Sequence, residues 1–299
     1  MEARKVLPAL ILIIVLVSCA IIWFYPPTGD FRVDNPAWNG YSELSKNTGA
    51  LALASLSDLP SSGDGTALVL VPYEQFTTAE LSIINNYVSS GGALVLLDDY
   101  GYGDQVLGNL GLNARFSGQT LLDPLFNYKN KWFPTITDFA PTTANVNVSS
   151  IVFNHATYLN GTTGMMPIAF SSDFSFADAN NNATYDTGES NGPLPVAAYA
   201  KLGQGYVVVV SDPSLAINGM IYQGSNREFI NKTAYIGGGI SQVYIDQSHL
   251  PTTALDEAKG ALAVVYGLVA SPLGTLALIV VVMAYSFNRF YKRGKLEGS

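Results

Sequence analysis

The chain has 299 residues, with 15 Lys and Arg against 23 Asp and Glu, for a net charge of −8. Its single cysteine, Cys19, lies in the first apolar run, which excludes an internal disulfide and a cysteine nucleophile anywhere after it. Six of the basic residues sit in the terminal tails, so residues 26–260 hold 9 basic and 21 acidic side chains, a surface that repels nucleic acid and anionic lipid.

Residues 1–5 form a short tail carrying Arg4 and Lys5. Residues 6–25 are an uncharged apolar run of the roughly 20 residues that cross a bilayer. Leu16-Val17-Ser18-Cys19 resembles a lipoprotein cleavage box, but the run stays apolar through Tyr25. That favours a retained anchor, with a cleaved signal as the alternative. A second uncharged run, 261–287, is followed by a basic tail, 288–299, with Arg289, Lys292, Arg293 and Lys295. Basic residues on the outer side of both runs predict two membrane spans, both termini in the cytoplasm and residues 26–260 outside the cell. The lipid bilayer is then one partner, and membrane or cell-surface proteins are the expected others. Neither run carries an ionisable residue, so these spans alone do not make a pore.

Between the spans, Pro26-Pro27 stops the first run. A helix is predicted over Tyr41–Lys46 and a strand over Ala50–Leu56. Ala67 to Val71 is a continuous apolar run, as in a strand buried on both faces. Thr77 and Glu80 have capping-box spacing, and Leu81, Ile84, Tyr87 and Val88 follow at helical intervals. Gly91-Gly92 ends that helix, and Ala93–Leu97 is a second buried strand, completing a βαβ unit. Val106, Leu107 and Leu110 mark another helix. Residues 115–190 are irregular and read as an insertion. Val196–Leu202 and Tyr206–Val210 form a hairpin around Gly203, and Asp212-Pro213 is expected to open a helix. Gln242–Ile245 is a last strand. The pattern predicts an α/β domain with an open, mostly parallel sheet and one transmembrane helix at each end.

The tract Gly91-Gly92-Ala93-Leu94-Val95-Leu96-Leu97-Asp98-Asp99-Tyr100-Gly101-Tyr102-Gly103 resembles the domain-of-unknown-function 4350 family. So do Asn35-Pro36-Ala37-Trp38-Asn39-Gly40, Val209-Val210-Ser211-Asp212-Pro213-Ser214 and Asp246-Gln247-Ser248-His249. The resemblance covers most of the outer segment. It implies a flavodoxin-like domain similar to class I glutamine amidotransferases, commonly held at a membrane, and leaves its biochemistry open. In amidotransferases the corresponding turn holds a cysteine. Here it holds Asp98-Asp99-Tyr100, so the resemblance implies the fold without that chemistry.

The sharpest local motif is residues 178–189. Asp178, Asn180, Asn182, Thr184, Asp186 and Glu189 fall at positions 1, 3, 5, 7, 9 and 12 of a calcium loop, which supplies oxygens at those places. Position 6, where such loops turn on glycine, is Ala183. The motif predicts a structural calcium ion; the alternative is a polar loop of turn-forming side chains. Sequons place candidate glycans at Asn147, Asn160, Asn182 and Asn231. At Asn182 a glycan and a calcium ion exclude each other.

Asp98, Asp99, Asp104 and Asp212 follow buried strands, where open α/β sheets bind ligands. They suit a cation or basic group, or else they cap helices and bind loop amides. Ser248, His249 and Asp246 are too close in sequence for a hydrolytic triad. The expected function is that of a non-catalytic, extracellular binding or assembly module anchored in the cell membrane. The alternatives are a hydrolase or transferase using the carboxylates of the sheet edge, and an accessory subunit of a membrane transport complex.

Overall fold

The computed structural model describes residues 3–141 and 147–297. Residues 1–2 and 298–299, the ends of the expected tails, lie outside the described residues. The chain divides into two units, Met1–Tyr25 with Thr252–Ser299, and Pro26–Pro251. Its helices are α1 (Ala3–Phe24), α2 (Ser42–Thr48), α3 (Thr78–Ser89), α4 (Gly103–Asn109), α5 (Asn226–Ala234), α6 (Ala254–Ala270) and α7 (Pro272–Glu297).

The larger unit is built on an eight-stranded sheet. In chain order its strands are β1 (Leu51–Leu53), β2 (Thr66–Leu70), β3 (Ala93–Leu97), β4 (Asp138–Phe139), β5 (Met166–Phe170), β6 (Pro195–Leu202), β7 (Gly205–Val210) and β8 (Gln242–Asp246). Across the sheet they run β1-β8-β2-β3-β7-β6-β5-β4. The first five are parallel. The last three join antiparallel. The sheet is therefore mixed and mostly parallel, in an α/β domain.

Alternate strand residues explain why both faces are apolar. Ala67, Val69 and Val71 of the β2 segment, Ala93, Val95 and Leu97 of β3, and Val208 and Val210 of β7 point to one face. That face is covered by Tyr41, Leu44 of α2, and Phe229 and Ile230 of α5. Leu68, Leu70, Leu94, Leu96, Val207 and Val209 point to the other, under Ile84, Tyr87 and Val88 of α3 and Val106 and Leu107 of α4. The capping box that starts α3 is complete: Glu80 N–H donates to Thr77 Oγ1 at 3.3 Å, and Thr77 N–H to Glu80 Oε2 at 2.8 Å.

Residues 115–190 are better organised than the sequence predicts. They supply β4 and β5 to the antiparallel edge of the main sheet and form three two-stranded ribbons. Thr120–Leu122 pairs with Phe176–Asp178, Arg115–Phe116 with Leu159–Asn160, and Thr135–Ile136 with Ile151–Val152. These strands are two to five residues long, too short for alternation to declare itself. Asp212 does not open a helix either. Its carboxylate caps a single 3₁₀ turn, Ser214–Ala216, and α5 starts only at Asn226.

In the smaller unit, α1 is, among the described residues, the one helix long and apolar enough to cross a membrane by itself. The second run is not the single uninterrupted helix that the sequence predicts. It is split at Ser271 into α6 and α7, which bend by 75° and meet the same criterion only as a pair. Pro272 is the cause. It has no N–H to return to α6, and it holds Ser271 in extended backbone, φ −64°, ψ 153°. Hydroxyls take over the released carbonyls: Ser271 Oγ donates to Leu268 O at 2.7 Å and Thr275 Oγ1 to Val269 O at 3.1 Å. α6 also begins before the apolar run, because Thr253 and Asp256 form a second capping box.

The loop before α2 depends on a buried side chain, Asn35. Its Nδ2 donates to Gly29 O (2.8 Å) and Asn39 Oδ1 (3.0 Å), and its Oδ1 accepts from Ala37 N–H (2.8 Å). Gly40 closes this loop against the backbone of Asn35, where a Cβ would stand 2.0 Å from the carbonyl oxygen. Gly49, by contrast, has φ +64° and open space around it. Gly40→Ala should therefore cost about 2–3 kcal/mol through overpacking, and Gly49→Ala about 1 kcal/mol through backbone strain alone. Thermal unfolding of the two variants checks this: the larger drop in Tm is expected for Gly40→Ala.

Candidate functional site

The five parallel strands bring their carboxyl ends to one edge, where open α/β sheets place ligands. β3 delivers Asp98 and Asp99, β7 delivers Asp212, β8 ends in Asp246 ahead of His249, and Tyr73 follows β2. Asp98, Asp99, Asp212, Asp246 and His249 are all buried.

Asp98 binds three backbone amides. Its Oδ1 accepts from Asp99 N–H and Gly101 N–H, both at 2.8 Å, and its Oδ2 from Gly103 N–H at 2.7 Å. This explains the Gly101-Tyr102-Gly103 tract. A Cβ on Gly101 would lie 2.3 Å from Pro72 O and 2.7 Å from Asp98 Oδ1, and one on Gly103 2.6 Å from Asp98 Oδ2. The glycines let the chain wrap a carboxylate supplied by the protein itself. Asp99 Oδ1 accepts from Tyr73 OH at 2.6 Å and Tyr100 N–H at 2.7 Å. Asp212 accepts from Asn154 N–H and Ser214 N–H, each at 2.7 Å. Tyr41 OH donates to Pro213 O at 2.6 Å. Asp104, also a candidate, accepts Phe116 N–H at 2.9 Å.

Burial decides the acidity of this group. It lifts Asp98 from its ordinary 3.8 to about 7, against the pull of its three amides. Asp99 is raised by burial, opposed by the Tyr73 hydroxyl, and Asp212 is raised well above its ordinary value, mainly by burial. Tyr41 is raised by burial and by the charges of Asp212 and Asp99.

Ser248, His249 and Asp246 come together, but not as a hydrolytic triad. A triad places the hydroxyl and the carboxylate on opposite imidazole nitrogens. Here Ser248 Oγ (3.1 Å) and Asp246 Oδ2 (2.9 Å) both face His249 Nδ1. Ser248 Oγ also donates to Asp246 Oδ1 at 2.6 Å. Nε2 lies 3.7 Å from Glu80 Oε1, and the ring stacks on Phe76 at 4.0 Å. His249 O accepts the N–H groups of Tyr73 and Glu74, both at 3.0 Å. The cluster ties the end of β8 to the chain leaving β2.

A cavity of about 390 Å³ opens beside these loops. Phe31, Trp38, Phe133 and His155 give it aromatic walls, and Asp30, Asn39, Asn154 and Ser214 give it polar ones. Trp38 is 69% exposed. Asn154 and Ser214 are the residues whose amides hold Asp212, so the cavity is built directly on the buried acid. Two of its residues have left-handed backbone, Phe31 (φ 59°) and His155 (φ 55°), a strain that recurs at functional sites. His155 lies on Trp132 at 4.9 Å, and burial lowers its pKa, favouring neutral imidazole. Sequence reading missed this cavity because its residues come from four separate loops. The one available signal was the Asn35–Gly40 tract.

Residues 178–189 fold as a closed loop, with Ala183 at φ +59° where a glycine was expected. Asp178 Oδ2 accepts from Ala183 N–H (2.7 Å), and Glu189 Oε1 and Oε2 accept from Ala179 and Asp186 N–H (both 2.9 Å). Asn180 and Asn182 each donate Nδ2 to Asp186 Oδ2 at 2.7 Å, and Asn182 Oδ1 accepts from Thr184 N–H. Among the described residues no three His, Cys, Asp or Glu side chains gather so as to hold a metal. Of the sequons, Asn147, Asn160 and Asn182 are exposed. Asn231 lies half-buried on α5, its Oδ1 without a hydrogen-bond partner among the described residues, and its Thr233 is fully buried.

The family described as a domain of unknown function, DUF4350, matches residues 33–234. The chain belongs to this family. No curated protein matches it. Among solved structures, the DUF4350 chain is similar to the mmIFT52 N-terminal domain, with 12% identity, a TM-score of 0.43 and coverage of 55% of this chain and 73% of that one. It is also similar to a cytoplasmic protein from Salmonella typhimurium LT2, with 12% identity, TM-score 0.37 and coverage of 60% and 76%. A β-galactosidase from Bacillus circulans sp. alkalophilus has 11% identity and a TM-score of 0.36. That match covers 56% of this chain and 22% of the enzyme's length.

The raised carboxylates fix the sign of a pH effect. Between about pH 4 and 7 the folded chain keeps a proton on Asp98 that the unfolded chain has lost. Stability from this group is complete below pH 4 and is lost as pH rises through 7. Asp99 and Asp212 act in the same direction. Tm should therefore fall between pH 5 and pH 8, and Asp98→Asn should flatten that fall. A Tm that rises over this range would contradict the assignment.

Proposed function

We propose that this DUF4350 chain is a membrane-anchored binding module that displays its sheet edge outside the cytoplasm and holds a protein partner there without transforming it. One observation carries the reading. The carboxylates of the sheet edge are buried and committed to backbone amides, while the cavity beside them is open and walled by aromatic rings. A catalytic edge needs reactive groups that converge on accessible space; this one has spent them on structure. The resemblance to amidotransferases supports the same view: the turn that holds a cysteine in those enzymes is taken to correspond to Asp98-Asp99-Tyr100, and Asp98 here binds backbone amides.

The partner presents a basic side chain. Trp38 offers an exposed indole face for a cation, Asp30 offers a carboxylate, and the surrounding segment is strongly acidic. The anchor is α1 together with the bent pair α6 and α7, with both basic flanks in the cytoplasm. A membrane-impermeant crosslinker added to intact cells should capture a stoichiometric membrane or cell-surface protein. Trp38→Ala, which removes an exposed side chain, should reduce the capture at least about tenfold, as expected for a central aromatic anchor. A captured set that is the same for the wild type and Trp38→Ala overturns the proposal.

We further propose that residues 178–189 take up a structural calcium ion. The left-handed turn at Ala183 supports this, because it is the backbone the loop needs at that position. Rotating the amides of Asn180 and Asn182 would turn their oxygens towards the ion beside Asp178, Asp186 and Glu189. Calcium at 100 times its Kd would add about 2.7 kcal/mol. Tm is expected to be higher in calcium than in chelator, and Glu189→Gln should remove most of the difference. Equal Tm values in millimolar calcium and in chelator would leave only a polar loop.

A further inference from the structure

A second, larger cavity of about 530 Å³ lies beside the 178–189 loop, which contributes Ala183, Thr184 and Tyr185 to its wall. Its size falls in the range of about 300–1,000 Å³ typical of small-ligand pockets. Phe174 stands on it 56% exposed and stacks with Phe126, itself 45% exposed, at 6.0 Å and 28°. Tyr185, 51% exposed, meets the buried ring of Phe176 edge-on at 5.8 Å. Around these rings sit Asp173, Thr184 and Asn191. Lys131 also lines the cavity, and its ammonium is bound to the carbonyl of Ala183.

We propose that this cavity is a binding site for a neutral hexose-containing glycan. The chemistry of the lining selects this class. A sugar ring has an apolar C–H face and a rim of hydroxyls. Exposed, immobilised aromatic faces suit the first. Planar carboxylate and amide groups, which accept and donate in one plane, suit the second. The lining holds one acid, Asp173, and one base, Lys131, so it has no excess charge of either sign to select a phosphate or a polycation. A peptide strand has no edge to join. Phe176–Asp178 is paired with Thr120–Leu122 on one side and bridged to Asn191 at Phe176 on the other. The proposal does not rest on the cavity at Trp38, with which this one shares no lining residue.

The test uses the full chain in a detergent without a sugar headgroup. Maltohexaose, cellohexaose and mannohexaose serve as probes, with saturation-transfer NMR to detect binding and calorimetry to measure it. At least one probe should saturate the protein. Phe174→Ala should weaken that probe roughly tenfold, as loss of one stacked ring implies, and Asp173→Asn should also weaken it. Trp38→Ala should leave it unchanged. Both Phe174 and Asp173 are exposed, and an unaltered Tm shows that the variants remain folded. If no probe binds, or if Phe174→Ala changes affinity less than twofold, the proposal fails. Binding of an oligogalacturonate in preference to all three neutral probes would also overturn it.

Discussion

The structure turns on the cost of burying negative charge at the carboxyl edge of its sheet. A carboxylate taken out of water must find donors or a proton. Asp98 finds three amides in five residues of its own loop. Asp212 finds amides from two different segments, one of them 58 residues away in the chain. Asp99 finds the hydroxyl of Tyr73, which has followed another strand. The loops that cross this edge are shaped by these acids, and the glycines at 101 and 103 exist to let the amides come close enough. Burial still outweighs the donors, so Asp98, Asp99 and Asp212 are all raised above their ordinary values, and the edge loses stability as pH rises.

That solution has a functional consequence. An acid wrapped by its own loop is no longer available to a substrate, and Asp246 is likewise filled by Ser248 and His249. What remains accessible beside the edge is aromatic. Trp38 is mostly exposed although the loop carrying it is pinned at both ends, by Asn35 and by Asn218, whose Nδ2 donates to Asn35 O and Ala37 O. A rigid loop presenting an exposed indole is a costly way to fill space and an efficient way to build a contact surface. The geometry separates a buried acidic framework from an exposed aromatic face, and the proposed binding rests on the second.

Much of the framework was legible in the sequence because its strands are buried on both faces. Continuous apolar runs at 67–71, 93–97 and 206–210, with a capping box at Thr77, leave little choice but a parallel sheet with crossover helices. The place of β8 between β1 and β2 was not legible, since a five-residue strand carries no record of its neighbours. Residues 115–190 hid two sheet strands for the same reason. The acids at 98, 99 and 212 were visible as candidates, but whether they bind a ligand or the chain is decided by the loop conformation for Asp98, whose amides lie within five residues, and by the distant Tyr73 OH and Asn154 N–H for Asp99 and Asp212. The cavity at Trp38 was invisible because Asp30, Phe133, His155 and Ser214 share no local pattern.

The second apolar run carries the most instructive mismatch. Hydropathy reads 261–287 as one span because it averages over Pro272. Proline does not make the segment less apolar; it withdraws a donor and turns the preceding residue. In hydrocarbon, where water cannot satisfy the released carbonyls, such a break persists only if the chain supplies its own donors. Ser271 and Thr275 do so. Gly274 sits where a Cβ would meet Leu268 O at 1.9 Å, so the turn has no room for a side chain. Ser271, Pro272, Gly274 and Thr275 thus form a compact bend in which two hydroxyls satisfy two of the released carbonyls. One residue each of serine, proline, glycine and threonine barely lowers the apolar average of the run, which is why composition alone gives no sign of the bend.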